Sequence, residues 1–94
     1  MEEEPYQPET ARSHILRILD GPGMTVFTKR AKDALMKNDM TSADAVNVLR
    51  GGRIAKGVST ASGWTYRAET ARMRVDFSFR PNELVIESAG RTHR

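Results

Sequence analysis

The hydrophobic period of this chain changes once, at Gly51-Gly52, and that single switch limits the folds open to it. Before the two glycines apolar residues recur at intervals of three and four; after them they alternate. In "TARSHILRILDGPG", Ala11, Ile15, Ile18 and Leu19 share one helical face, Thr10 stands as a cap, and Gly21-Pro22-Gly23 ends the run. "TKRAKDALMKND" repeats the pattern. Thr28 caps it, Ala31, Ala34 and Leu35 with the preceding Phe27 form the apolar stripe, and Lys29, Arg30, Lys32 and Lys37 stand against that stripe. "MTSADAVNVLRGG" opens with Thr41 three residues ahead of Asp44, close to a capping box. It turns Ala45, Val48 and Leu49 inward and stops at the glycines, which suit a positive-φ C-cap.

Beyond the switch, "RIAKGV" reads as a short strand with Ile54, Lys56 and Val58 on one side, and "STASG" as a loop. "WTYRAE" sets Trp64, Tyr66 and Ala68 against Thr65, Arg67 and Glu69. "RMRVDFSFR" sets Met73, Val75, Phe77 and Phe79 against Arg72, Arg74, Asp76, Ser78 and Arg80. Pro81-Asn82 makes a turn, "LVIES" returns as the next strand, and "AGRTHR" reads as a short basic tail. Helices grouped ahead of strands predict an α+β fold: two to three N-terminal helices on one face of a three- to four-stranded antiparallel sheet. Residues 1–9, rich in Glu and Pro, read as a flexible acidic tail, and residues 10–94 as one domain.

Charge narrows the function. Four of the twelve acids fall in the first ten residues, so residues 11–94 hold fifteen bases against eight acids. Such a surface predicts a polyanionic partner, with simple solubility as the plain alternative. With no cysteine, and histidine only at positions 14 and 93, neither a metal nor a cofactor is expected. No apolar run reaches membrane-spanning length, and the acidic, proline-broken start is unlike a secretory signal, which predicts a cytoplasmic protein. "LRGGRI" lacks the Gly-Lys-Ser/Thr ending of a phosphate loop and follows a helix where such a loop would open one. No serine sits in a nucleophile elbow.

The side chains with chemistry to offer lie in the alternating half. Arg67, Arg72, Arg74 and Arg80 fall on the solvated face of adjacent strands, with Glu69 and Asp76 able to neutralise part of the cluster. Lys56 stands beside Gly57, where a phosphate backbone can approach closely. Trp64 belongs to the core, while Tyr66 either joins it or stacks on a base and donates a proton. His14 is an ordinary half-buried imidazole beside an apolar face, and His93 is an imidazole among arginines.

From Val26 to Ile86, the succession "VFTKRAKDALMKNDMTSADAVNVLRGGRIAKG", "WTYRAE", "MRVDFSF" and "LVIES" resembles a family of small bacterial domains related to the MqsR toxins and, more distantly, to RelE-type endoribonucleases. The resemblance implies a metal-independent endoribonuclease that acts on RNA, free or ribosome-bound, and is held in check by an antitoxin protein. It places the family's strand lysine at Lys56, the polar residue after the strand tryptophan near Tyr66 or Arg67, and a terminal basic residue near Arg91. Arg74 stands where the family has a tyrosine, and the glutamine expected after Trp64 is absent. Arginine holds phosphate but is a poor proton shuttle, so either Tyr66 or His93 takes the base role, or the domain is a non-catalytic RNA- or protein-binding regulatory module of the same fold. The expected catalytic set is therefore Lys56, Tyr66, Arg67, Arg74 and His93, flanked by Arg53, Arg72, Arg80 and Arg91 as RNA contacts.

Overall fold

The computed structural model describes residues 4–61 and 63–92. Three helices form where the periodicity places them: α1 Pro8–Asp20, α2 Lys29–Lys37 and α3 Ser42–Gly51. Thr28 caps α2 by accepting from the Ala31 amide at 3.0 Å. Thr41 and Asp44 complete a reciprocal capping box at the start of α3, the Thr41 amide donating to Asp44 Oδ2 and the Asp44 amide to Thr41 Oγ1. α1 begins two residues before Thr10, with proline in its first turn and no side-chain cap.

The sheet corrects the sequence expectation. It is six-stranded and mixed: β1 Met24–Phe27, β2 Arg53–Ile54, β3 Val58–Thr60, β4 Gly63–Glu69, β5 Met73–Arg80 and β6 Glu83–Arg91, in the order β1-β6-β5-β4-β2 with β3 also paired to β4. Two features account for the difference from three or four antiparallel strands. The first is β1, four residues that lie parallel to β6 from Met24 opposite Glu83 to Phe27 opposite Ile86. So short a segment between two helices shows no alternation, and a parallel partner nearly sixty residues away leaves no local turn signal. The second is "RIAKGVST", which divides into β2 and β3 with residues 55–57 between them, so "ST" is strand and Lys56 is connector. The C-terminal "AGR", read as tail, extends β6 to Arg91.

One hydrophobic cluster joins the layers. Tyr66 and Ala68 of β4, Val75 and Phe77 of β5, and Leu84, Ile86 and Ala89 of β6 meet Ala11, Ile15 and Ile18 of α1, Ala31 and Leu35 of α2, and Ala45, Val48 and Leu49 of α3. The register agrees with this face: Tyr66 lies opposite Phe77, Ala68 opposite Val75, and Phe79 opposite Leu84. Trp64 only half joins the core, at its edge. The helix-ending role of Gly51-Gly52 holds, but the reason differs from a positive φ. Gly52 has φ −75°, and a Cβ there would lie 2.6 Å from the Val48 carbonyl oxygen and 3.1 Å from the Glu69 backbone, so close approach is what demands glycine. Arg12 closes the same corner by donating to the Arg50 and Gly52 carbonyls.

Candidate functional site

Three surfaces hold the groups able to bind or react: the open sheet face, the outer side of α2, and a cavity beside α1. On the open face, β4 and β5 bring Arg67 opposite Asp76 and Glu69 opposite Arg74. Arg67 Nε donates to Asp76 Oδ1 at 2.7 Å, and Arg74 Nη1 lies 3.6 Å from Asp76 Oδ2. The carboxylate raises the pKa of Arg67 through that hydrogen bond and its charge. Arg74 lies across β6 at Gly90, where a Cβ would stand 2.9 Å from its Nη2, so glycine there lets the guanidinium rest on the neighbouring strand.

The same register pairs Arg53 with Glu69 and Arg80 with Glu83. Each of these arginines lies opposite an acid in the register, but only Arg67 and Arg74 come within salt-bridge distance of one among the described residues, and the result is a ladder of mixed charge. Arg72 stands outside β5 in the tight connection at residues 70–72, where the Thr70 hydroxyl accepts from the Arg72 and Met73 amides. Arg91 is bound elsewhere: its Nε donates to the Asn38 carbonyl at 2.8 Å and its Nη2 to the Asp39 carbonyl at 2.9 Å, fastening the end of β6 to the end of α2. Lys56 is exposed in the β2–β3 connector.

Tyr66 lies on the other side of the sheet. It is 1 % exposed, stacked on Phe77 and Tyr6, with Phe79 edge-on to its ring. Its hydroxyl accepts from the Tyr6 amide at 2.9 Å and donates to Glu4 Oε2 at 2.8 Å. Burial, which disfavours the phenolate, pushes its pKa above the ordinary tyrosine value, and the Glu4 carboxylate adds to the rise. The structure thus brings Arg67 and Arg74 together around Asp76 and buries Tyr66 on the other side of the sheet, while Lys56 follows Ala55, whose amide donates to the Arg67 carbonyl at 2.9 Å. His93 lies outside the described residues.

Two features escaped the sequence reading. The first is α2, whose Lys29, Arg30, Lys32 and Lys37 are all exposed, with no ion pair to any described residue. Three of these cations stand in the first turn of the helix, which holds no acid, where the positive end of the macrodipole disfavours them. Beside them Met36 is 81 % exposed. The sequence signal is "TKRAK", which by periodicity alone is indistinguishable from the solvated side of an amphipathic helix. The second is a cavity of about 610 Å³ beside α1, walled by Tyr6, His14, Phe79 and the β5–β6 turn. Among the described residues no helix is long and apolar enough to cross a membrane, and no group of His, Asp or Glu side chains is arranged to hold a metal ion. Comparison of the chain with protein-family models, with curated proteins and with solved structures gives no match.

Proposed function

We propose that this chain is a non-catalytic RNA-binding module whose phosphate contacts come from α2. The observation that carries the reading is the uncompensated charge of Lys29, Arg30, Lys32 and Lys37. Lys29, Arg30 and Lys32 stand against the helix dipole, and neither they nor Lys37 in the last turn has a carboxylate within salt-bridge distance among the described residues, so an anionic partner is the compensation this surface lacks. RNA is the polyanion to which the family resemblance points. The sheet face is the weaker candidate because its central arginines, Arg67 and Arg74, are already engaged by Asp76.

Support for binding over cutting comes from the place of Tyr66, one of the two expected proton carriers. Cleavage through the 2′-hydroxyl needs a base and an acid within reach of the phosphate that the cations hold. Tyr66 is buried behind the sheet and kept protonated, whereas Arg67 and Arg74 are in front of it.

The test is fluorescence anisotropy with labelled single-stranded RNA across a salt series, paired with a gel for RNA integrity. Four phosphate contacts predict a slope of about −3 for log K against log salt. Replacing Lys29, Arg30 and Lys32 together by Gln should remove about two units of that slope, while the Arg67→Gln, Arg74→Gln pair should change it little. Absent binding at low salt, or full binding by the α2 triple variant, overturns the reading. Cleavage of an all-ribose strand that spares its 2′-deoxy counterpart would instead return the chain to the endoribonuclease reading, with the antitoxin that reading implies.

A further inference from the structure

We infer that the cavity beside α1 is a binding site for an aromatic phosphate monoester of the nucleoside monophosphate class, separate from α2. At about 610 Å³ it falls within the range of small-molecule sites. Its walls combine flat rings with cations. Tyr6 and Phe79 meet edge to face with centroids 5.4 Å apart, and the His14 ring lies 4.5 Å from Tyr6 and 5.8 Å from Phe79. Arg17 and Arg80 line the same cavity, both exposed, and neither has a carboxylate partner within salt-bridge distance among the described residues. The one acid in the lining, Glu4, is engaged by the Tyr66 hydroxyl.

His14 completes the aromatic wall. Arg17 Nη2 lies 2.9 Å from His14 Nδ1, and a guanidinium can only donate, so Nδ1 accepts and the neutral ring carries its proton on Nε2. That Nε2 is buried with no partner in the described structure. Nε2 is closed off from the cavity as well as from other polar groups, so His14 offers the wall its ring and not a donor. A nucleoside monophosphate answers both chemistries of the lining, a planar base against its aromatic wall and an anion for Arg17 and Arg80. Inorganic phosphate answers only the second.

The experiment is a proton NMR titration of the imidazole resonances with adenosine 5′-monophosphate, run beside adenosine and inorganic phosphate. The chain has two histidines, so His14→Gln assigns the His14 signals. A saturable shift of the His14 resonance by the mononucleotide, at least tenfold tighter than by adenosine or phosphate, is the expected result. Arg17→Gln with Arg80→Gln should weaken it at least tenfold, with folding checked by circular dichroism. The Lys29, Arg30 and Lys32 triple variant should leave it unchanged, which keeps this site distinct from RNA binding on α2. Equal affinity for phosphate and mononucleotide, no shift at millimolar ligand, or a shift lost only in the α2 variant overturns the inference.

Discussion

Replacing Tyr66 by phenylalanine removes one oxygen and asks what that oxygen does. In the structure it holds the N-terminal segment down: the Tyr6 amide donates to it, and it donates to Glu4. The phenyl ring left behind keeps the stacking on Phe77 and Tyr6, so the change isolates the two hydrogen bonds. Glu4 can turn to water, whereas the Tyr6 amide faces a site that is 1 % exposed and loses its acceptor there. An unsatisfied buried donor costs about 1–3 kcal/mol, and at about 4–8 °C per kcal/mol for a domain of this size a cost of about 1.5 kcal/mol lowers Tm by about 6–12 °C. Thermal unfolding followed by circular dichroism measures it. A Tm within about 2 °C of wild type would refute the reasoning, because the Tyr6 amide would then have another acceptor or stand in water in either protein.

The pH dependence tests the same oxygen by a second route. An unfolded tyrosine ionises near its ordinary value of about 10, and the folded Tyr66 at a higher pH. Below the unfolded value both states keep the proton, and the contribution of Tyr66 to stability is present in full. Above it the unfolded chain loses a proton that the folded chain retains, so stability falls as pH rises toward the folded value. Wild type should lose stability between pH 9 and 11 more steeply than Tyr66→Phe, and parallel curves would contradict the assignment.

Three further substitutions separate other parts of the structure. Gly51→Ala, in a helical position with nothing within 4 Å of the new Cβ, should stabilise by about 0.4–1 kcal/mol, whereas Gly52→Ala drives its Cβ into the Val48 carbonyl and should destabilise by about 1–3 kcal/mol; urea unfolding of the pair gives the sign of each. Thr41→Ala opens the capping box of α3 and should cost about 1 kcal/mol in the same assay. Asp76→Asn frees Arg67 and Arg74 at a cost below about 1 kcal/mol, and if α2 is the RNA contact the anisotropy titration should move by less than about threefold. A large gain in affinity would transfer the interface to the sheet.

The helices were legible because their signals are local. Thr28, Thr41 with Asp44, and the glycine doublet act on residues within a turn of themselves, and the structure uses each for the end it marks. The missing strands depend on distant partners. β1 is strand because Glu83–Ile86 lies beside it, and nothing in "MTVF" announces a parallel partner. β2 and β3 are short because both pair with β4, at different stretches of it, and the residues between them turn the corner. The cavity was illegible for a related reason: Tyr6 and His14 lie just before and within α1, Phe79 lies in β5 far along the sequence, and only the packing of α1 against the sheet makes them neighbours.

The division of the expected catalytic set was, by contrast, already determined by adjacency. Tyr66 and Arg67 are consecutive in one strand, and successive side chains of a strand point to opposite faces. Once Tyr66 shares a face with Ala68 and meets Phe77, Arg67 must lie on the other side with Asp76. A phenol and a guanidinium so placed cannot act on one phosphate unless the strand ends or bulges between them, and the irregularity in this sheet falls on the β5–β6 pairing at Asp76 and Phe77 instead. The alternation that identified the strand therefore argued against a site built from both residues. It leaves Tyr66 to anchor the N-terminal segment, and Arg67 to the charge ladder of the open face.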